Sequence, residues 1–186
     1  MVLKKASALG GTIIAVVLVV VFVPPVLLNE TAEFREIFMK KCKGYPMDQT
    51  TCKNALNAFE KAFVGKNEKD VTEEDYEGLF KEVPFKHPCG ITMFWTGTNE
   101  LVHEFTKTRD HFFTLEDTLL GHVLNELKWC GKKNSQGIFI KECSEDKPNP
   151  VFSFWKLASA KMAQYACKIV TVMLDGEREK PYYDKR

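Results

Sequence analysis

The sequence predicts an α+β protein in which an N-terminal helical bundle is followed by part of a C-terminal α/β domain, the whole preceded by an N-terminal transmembrane helix. Three observations carry this reading. A long apolar stretch opens the chain and is not repeated later. Beyond it, apolar residues first recur at helical spacing, and short β-branched and aromatic runs enter only from Gly90 onward. All six cysteines, Cys42, Cys52, Cys89, Cys130, Cys143 and Cys167, lie after the apolar stretch.

The apolar stretch runs from Ala8 to Leu28, broken only by Gly10, Gly11, Thr12 and the pair Pro24 and Pro25. A helix of about twenty apolar residues crosses a bilayer. Lys4 and Lys5 on its N-terminal side favour a cytosolic start. The expected organisation is a cytoplasmic tail over 1–7, a signal anchor over 8–28 and an extracellular domain over 29–186, a single-pass type II protein of the cell membrane. The alternative is a secreted chain, with a signal peptide whose apolar region spans Ile13 to Val23. No small-x-small cleavage site accompanies it, and Val-Val-Phe-Val is a poor substitute. A buried core helix fits worse, because the stretch has no polar face. One glycosylation sequon, Asn29-Glu30-Thr31, follows immediately.

An even number of cysteines on the outer side reads as three disulfides, with fifteen pairings open on spacing alone. No C-x-x-C pair occurs, and His87, His103, His111 and His122 show no ligand spacing with the cysteines, so no metal centre is expected. A formal net charge of +1 over 186 residues provides no basic field for nucleic acid. Fourteen phenylalanines imply a substantial core.

The elements follow in order. Glu33 to Lys41 places Phe34, Ile37 and Phe38 on one helical face. Thr50 and Thr51 open a second helix carrying Ala55, Leu56, Phe59 and Phe63. A polar loop from Lys66 to Asp70 precedes Thr72-Glu73-Glu74-Asp75, which reads as a capping box before Tyr76 and Leu79. After two prolines, Gly90 to Trp95 has strand character, Thr96-Gly97-Thr98 ends it, and Asn99 caps a helix with Leu101, Val102 and Phe105. Thr114 and Asp117 cap the strongest predicted helix, with Leu119, Leu120, Val123, Leu124 and Leu127 inward. A loop joins Cys130 to Cys143, and another runs from Glu145 to Pro150. Val151 to Ala166 forms a helix with Phe154, Leu157, Ala158 and Met162 inward. Cys167 to Leu174 reads as a buried strand, with a turn at Asp175-Gly176.

Three segments, in this order, go further. Phe94-Trp95 ends the first strand. Thr114-Leu115-Glu116-Asp117-Thr118-Leu119-Leu120-Gly121 is followed by Leu127-Lys128-Trp129-Cys130. Asn149-Pro150-Val151-Phe152-Ser153-Phe154-Trp155-Lys156 is followed by Cys167 and Val172-Met173-Leu174-Asp175-Gly176. Taken together, from about Phe34 to Gly176, the chain resembles the ADP-ribosyl cyclase / cyclic ADP-ribose hydrolase family. That resemblance makes the C-terminal part a small parallel-sheet domain. It implies the pairs Cys42–Cys52, Cys89–Cys167 and Cys130–Cys143. A further bridge common in the family has neither partner here, since Gly65-Lys66-Asn67-Glu68-Lys69 and Ser144-Glu145-Asp146-Lys147-Pro148 both lack cysteine.

The activity implied is cleavage of the bond between nicotinamide and ribose in NAD, giving ADP-ribose and cyclic ADP-ribose; NAD is then substrate and no cofactor is needed. Trp95 and Trp155 match the family's two aromatic walls, although buried core is the plainer reading of either tryptophan alone. Glu116 matches the glutamate that meets nicotinamide. On the residues alone it is also a helix N-terminal acid, a role that Asp117 fits better. Asn125 stands where many members carry an aspartate. Thr96 and Ser159 match polar positions beside the two tryptophans, and Gly97 replaces a basic residue. The resemblance places the main catalytic glutamate in a Gly-x-Val-Glu context after the Met-Leu-Asp-Gly turn, and residues 1–186 contain no such segment. The chain is therefore expected to be cut short before that glutamate and nearly inactive by itself. The alternative function is a non-enzymatic cell-surface receptor or inactive short form. Expected partners are NAD and related nucleotides, and the membrane through the N-terminal helix; a homodimer is left open.

Overall fold

The computed structural model describes residues 25–85, 89–109 and 111–177. The expected cytoplasmic tail and the apolar segment up to Pro24 lie outside the described residues. Among those described, no helix is long and apolar enough to cross a membrane.

The N-terminal half is helical. Helix α1 (Pro25–Lys43) packs against α2 (Gln49–Phe63), and the disulfide Cys42–Cys52 closes the loop between them. Phe34, Phe38 and Cys42 recur every four residues on α1 and are fully buried. On the outer side of this pair, Arg35 donates twice to the Glu60 carboxylate. Helix α2 starts earlier than Thr50, because Asp48 is the N-cap: its carboxylate accepts from the Thr51 amide at 2.9 Å and the Thr51 hydroxyl at 2.6 Å. Single 3-10 turns at Glu68–Asp70 and Glu74–Tyr76 lead into α3 (Glu77–Glu82). Asp75 accepts from the Thr72 amide at 2.9 Å. Partial burial raises the pKa of that carboxyl, but its bonds to the Lys66 ammonium and to Thr72 outweigh burial and hold it below the usual carboxylate range.

The C-terminal half carries a three-stranded, wholly parallel sheet. Strand β1 (Ile91–Thr96) is central, flanked by β2 (Phe112–Phe113) and β3 (Val170–Leu174). Ile91 pairs with Phe112, and Thr92 to Thr96 pair in register with Val170 to Leu174. Parallel neighbours need crossovers. Helix α4 (Asn99–Lys107) supplies the one from β1 to β2. A 3-10 turn (Leu115–Asp117), α5 (Leu119–Leu124) and α6 (Pro150–Tyr165) lie on the long path back to β3. The disulfide Cys89–Cys167 ties the starts of β1 and β3 together, and Cys130–Cys143 closes the loop between α5 and α6.

Four further details differ from the sequence expectation. Asn99 is the first residue of α4 rather than its cap; Thr98 occupies the cap position but donates its hydroxyl to the Met173 carbonyl on β3 instead. The strongest predicted helix is two capped turns in series. Thr114 and Asp117 close the first, and Thr118, in extended conformation, caps the second by accepting from the Gly121 amide. Strand β3 is not buried. Val170, Val172 and Leu174 are 49%, 54% and 41% exposed, because α6 turns its apolar face to the aromatic core and leaves this side of the strand open. Strand β2, two residues long, was too short to leave a pattern.

The core is largely aromatic. Phe34 stacks on Phe59 with centroids 5.6 Å apart, Phe59 meets the edge of Trp129 at 5.1 Å, and Trp129 and Tyr76 both pack on Phe154 of α6. Inside this cluster the Trp129 indole donates to the Tyr76 hydroxyl at 2.9 Å. Both side chains are fully buried, so neither group has water as a substitute. Burial also pushes the Tyr76 phenol well above its ordinary pKa and keeps it neutral. Replacing Tyr76 by Phe keeps the ring and strands the indole N–H. The Tyr76→Phe variant is expected to lose about 1–3 kcal/mol of stability in urea unfolding; a loss under about 0.5 kcal/mol, the size of an ordinary surface substitution, would remove this bond from the account.

Candidate functional site

Three elements converge beside the sheet. Trp95 stands near the carboxyl end of β1, where parallel α/β sheets open their ligand crevices. Glu116 sits on the 3-10 turn before α5. Trp155 and Ser159 lie one helical turn apart on α6, hence on one face.

Each is held by local chemistry. Asp117 accepts from the Thr114 amide at 2.7 Å and from its hydroxyl at 2.9 Å, so Asp117 does the capping. Glu116 is left to accept from the Trp95 indole N–H at 3.2 Å. This bond fixes both the plane of one aromatic wall and the position of the carboxylate beside it. The far edge of Trp95 is packed by His103 of α4, with centroids 6.1 Å apart. On α6, Asn149 caps the helix by accepting from the Phe152 amide at 2.9 Å, and Pro150 takes the first turn. Phe154 then points into the core, and its neighbour Trp155 is half-buried at the cleft, edge-on to Phe154 at 5.1 Å.

The turn that carries Glu116 packs tightly on α5. A Cβ on Gly121 would lie 1.9 Å from the Leu115 carbonyl oxygen, so only glycine permits this approach. From the other side α1 ties the same segment down. Tyr45, just past its end, donates to the Asp117 carbonyl at 2.8 Å, and Lys41 donates to the Asn125 carbonyl at 2.7 Å. Helix α5 ends at Leu124, Asn125 already leaves the helical conformation with ψ 135°, and Glu126 follows with a left-handed φ of 63°.

The result is one cleft of about 480 Å³ in which Trp95, Glu116, Asn125, Trp155 and Ser159 all take part, together with Phe94, Leu115 and Lys128. Two tryptophans sixty residues apart in sequence thus face one space. Thr96 does not line it; it is the last residue of β1 and pairs with Leu174. No cluster of three or more metal-ligating side chains exists among the described residues. Lys41, Tyr45, Glu126 and Lys128 were not singled out from the sequence. Lys41 and Tyr45 act from α1, far along the chain, and Lys128 stood inside a quoted motif whose apolar neighbours carried the pattern.

Comparison with known proteins gives the family and the fold. The family model described as ADP-ribosyl cyclase matches residues 31–186. The chain belongs to the ADP-ribosyl cyclase family. It is 37% identical over 201 residues to the mouse (Mus musculus) ADP-ribosyl cyclase/cyclic ADP-ribose hydrolase 1, covering 97% of this chain and 66% of that protein. Porcine CD38 complexed with a covalent intermediate, ribo-F-ribose-5′-phosphate, superposes with a TM-score of 0.69 at 37% identity, covering 77% of this chain and 66% of that one. An ADP ribosyl cyclase complexed with N1-cIDPR gives a TM-score of 0.72 at 33% identity, covering 83% and 67%. The chain thus spans just under two thirds of the length of the mouse family member, and 54% of the rat one.

The tether from α1 yields a test of the cleft that needs no ligand. The Lys41→Met variant removes a charge-assisted bond to the peptide that enters the left-handed turn. Amide hydrogen exchange over residues 124–128 should speed up about tenfold, the equivalent of about 1.4 kcal/mol, and Lys41→Arg should restore most of the protection. Unchanged exchange in Lys41→Met would show that the lip stands without α1.

Proposed function

We propose that the cleft binds NAD with its nicotinamide ring between Trp95 and Trp155, and that the protein serves the family reaction, cleavage of the nicotinamide–ribose bond to give ADP-ribose and cyclic ADP-ribose. The observation that carries this reading is the Trp95–Glu116 hydrogen bond within a cleft whose other wall is Trp155. The nicotinamide of NAD is a flat cation, and indole faces attract such rings through their quadrupole. Glu116, oriented by the indole N–H, has lone pairs left to accept the carboxamide N–H of the ring, and Asn125 offers an amide donor and acceptor on the same side. The sixteen-residue α6 and the paired strand β1 hold these groups before the ligand arrives, so little ordering is required on binding.

In the reaction, the N-glycosidic bond breaks and its electron pair leaves with the nicotinamide nitrogen, which becomes neutral. Positive charge develops at the ribose anomeric carbon, as in other glycosyl transfers. Water then adds and loses a proton to give ADP-ribose, or the adenine of the same molecule adds and closes the cyclic product. Stacking in the cleft orients the leaving group and excludes water from one side of it. Stabilising the ribose cation calls for a carboxylate on the opposite side. The family resemblance assigns that to a Gly-x-Val-Glu segment, which residues 1–186 do not contain.

Binding and turnover are therefore expected to separate. The 186-residue chain should bind NAD but release nicotinamide slowly, and a version extended by a strand carrying Gly-x-Val-Glu should gain about 10²–10³ in rate. The measurement is nicotinamide release by the two purified forms side by side. Equal turnover would make Glu116 the residue that carries the chemistry. Failure of NAD to bind either form would reject the cleft as its site and favour a receptor role.

A further inference from the structure

Behind Trp155 lies a second hollow of about 330 Å³, and Lys128, Val151 and Trp155 line both spaces. Lys128 is the one cation among the described residues lining the nicotinamide cleft, against the carboxylates of Glu116 and Glu126. Its ammonium is engaged by Glu145 at 2.6 Å. Both ends of this pair are open to solvent, with side chains 65% and 83% exposed.

The backbones beneath the pair are firmly rooted. Trp129, next to Lys128, is fully buried and bonded to Tyr76, and the Leu127 amide donates to the Leu124 carbonyl. Glu145 lies between the Cys130–Cys143 disulfide and the α6 cap, where the Asn149 side-chain amide donates to the Glu145 and Asp146 carbonyls. The two side chains themselves reach out into solvent. An exposed ion pair is among the weakest interactions of a folded protein, and salt screens it readily. A ligand anion reaching the cleft can thus replace Glu145 at little cost, and Lys128 has a long stem with which to follow it.

We propose that Lys128 is a specificity-determining residue of the cleft, held in reserve by Glu145 and transferred to an anionic group of the bound ligand. This rests on the reading of the cleft as a nicotinamide site. The group recognised is a carboxylate or phosphate. In a ligand of this kind it comes either from an acid substituent on the pyridine ring or from the phosphate on the ribose. In both cases Glu145 is a competitor, so removing it and removing Lys128 should act in opposite directions.

The experiment is titration of the 186-residue chain and its variants with two matched pairs of ligands, nicotinamide against nicotinate and nicotinamide riboside against nicotinamide mononucleotide. The expected result is that Lys128→Gln weakens binding of the member that carries the anionic group in at least one pair about 3–10-fold relative to its counterpart without that group, and that Glu145→Gln tightens it about 2–5-fold on the same comparison. Both effects should shrink toward one in about 1 M salt, where the screening length falls to about 3 Å. A response confined to the pyridine pair places the anion on the base, and one confined to the riboside pair places it on the ribose; either supports the proposal. Unchanged affinity ratios within both pairs in both variants, with nicotinamide and nicotinamide riboside still bound, overturn it and leave the cleft reading standing. No binding of any ligand by the unmodified chain overturns both.

Discussion

The Trp129 indole–Tyr76 hydroxyl bond lies where five separate stretches of the chain meet, and the remaining architecture is arranged around it. Trp129 faces Phe34 of α1 and Phe59 of α2, Tyr76 precedes α3, and both rings pack on Phe154 of α6. A buried donor with a single acceptor tolerates little displacement, because a stretched bond leaves both groups unsatisfied in an apolar interior. The bond therefore fixes the register of α6 against the helical bundle. Trp155 inherits that register from Phe154, and Lys128 and Cys130 inherit theirs from Trp129. The cleft is thus built outward from the core, with one wall an immediate neighbour of the residue that closes the aromatic cluster.

The opposite wall comes from the sheet, and the bond between Trp95 and Glu116 couples the two systems. Capping of the 115–117 turn by Thr114 and Asp117, the close approach allowed by Gly121, and the ties from Lys41 and Tyr45 all serve to hold one carboxylate. That concentration of restraints on one turn distinguishes Glu116 from Asp117, whose Oδ2 is occupied by the turn itself. The same contrast holds on α6, where Ser153 is buried and bonded to the Val71 carbonyl, whereas Ser159 faces the cleft.

Much of this was legible in the sequence, for identifiable reasons. The apolar periodicity of α1, α2 and α6 is strong because each buries a single stripe, and Phe34, Phe38, Phe59, Phe63, Phe154 and Met162 all lie where that pattern places them. The division of labour between Glu116 and Asp117 was readable from the offset of Asp117 to Thr114. Less was readable where a tertiary contact overrides a local preference. Thr98 gives up its cap for a bond to β3, Thr118 interrupts a run that reads as one helix, and β3 shows the composition of a buried strand while one face stays open. The convergence of Trp95 and Trp155 has no signature in spacing, and only the family resemblance brought the two together before the fold was known. Lys41, Tyr45 and Lys128 were illegible because a lysine or tyrosine on a polar helix face or loop looks alike whether or not it reaches a carbonyl or a cleft.

The central claim is that the space between Trp95 and Trp155 is a nicotinamide site organised by Glu116. It is tested most directly by a crystal structure of the chain with nicotinamide mononucleotide bound. The account predicts the pyridine ring between the two indoles, with its carboxamide within hydrogen-bond distance of the Glu116 carboxylate. A ring bound elsewhere, or one stacked on a single indole with its carboxamide turned away from Glu116, would contradict it.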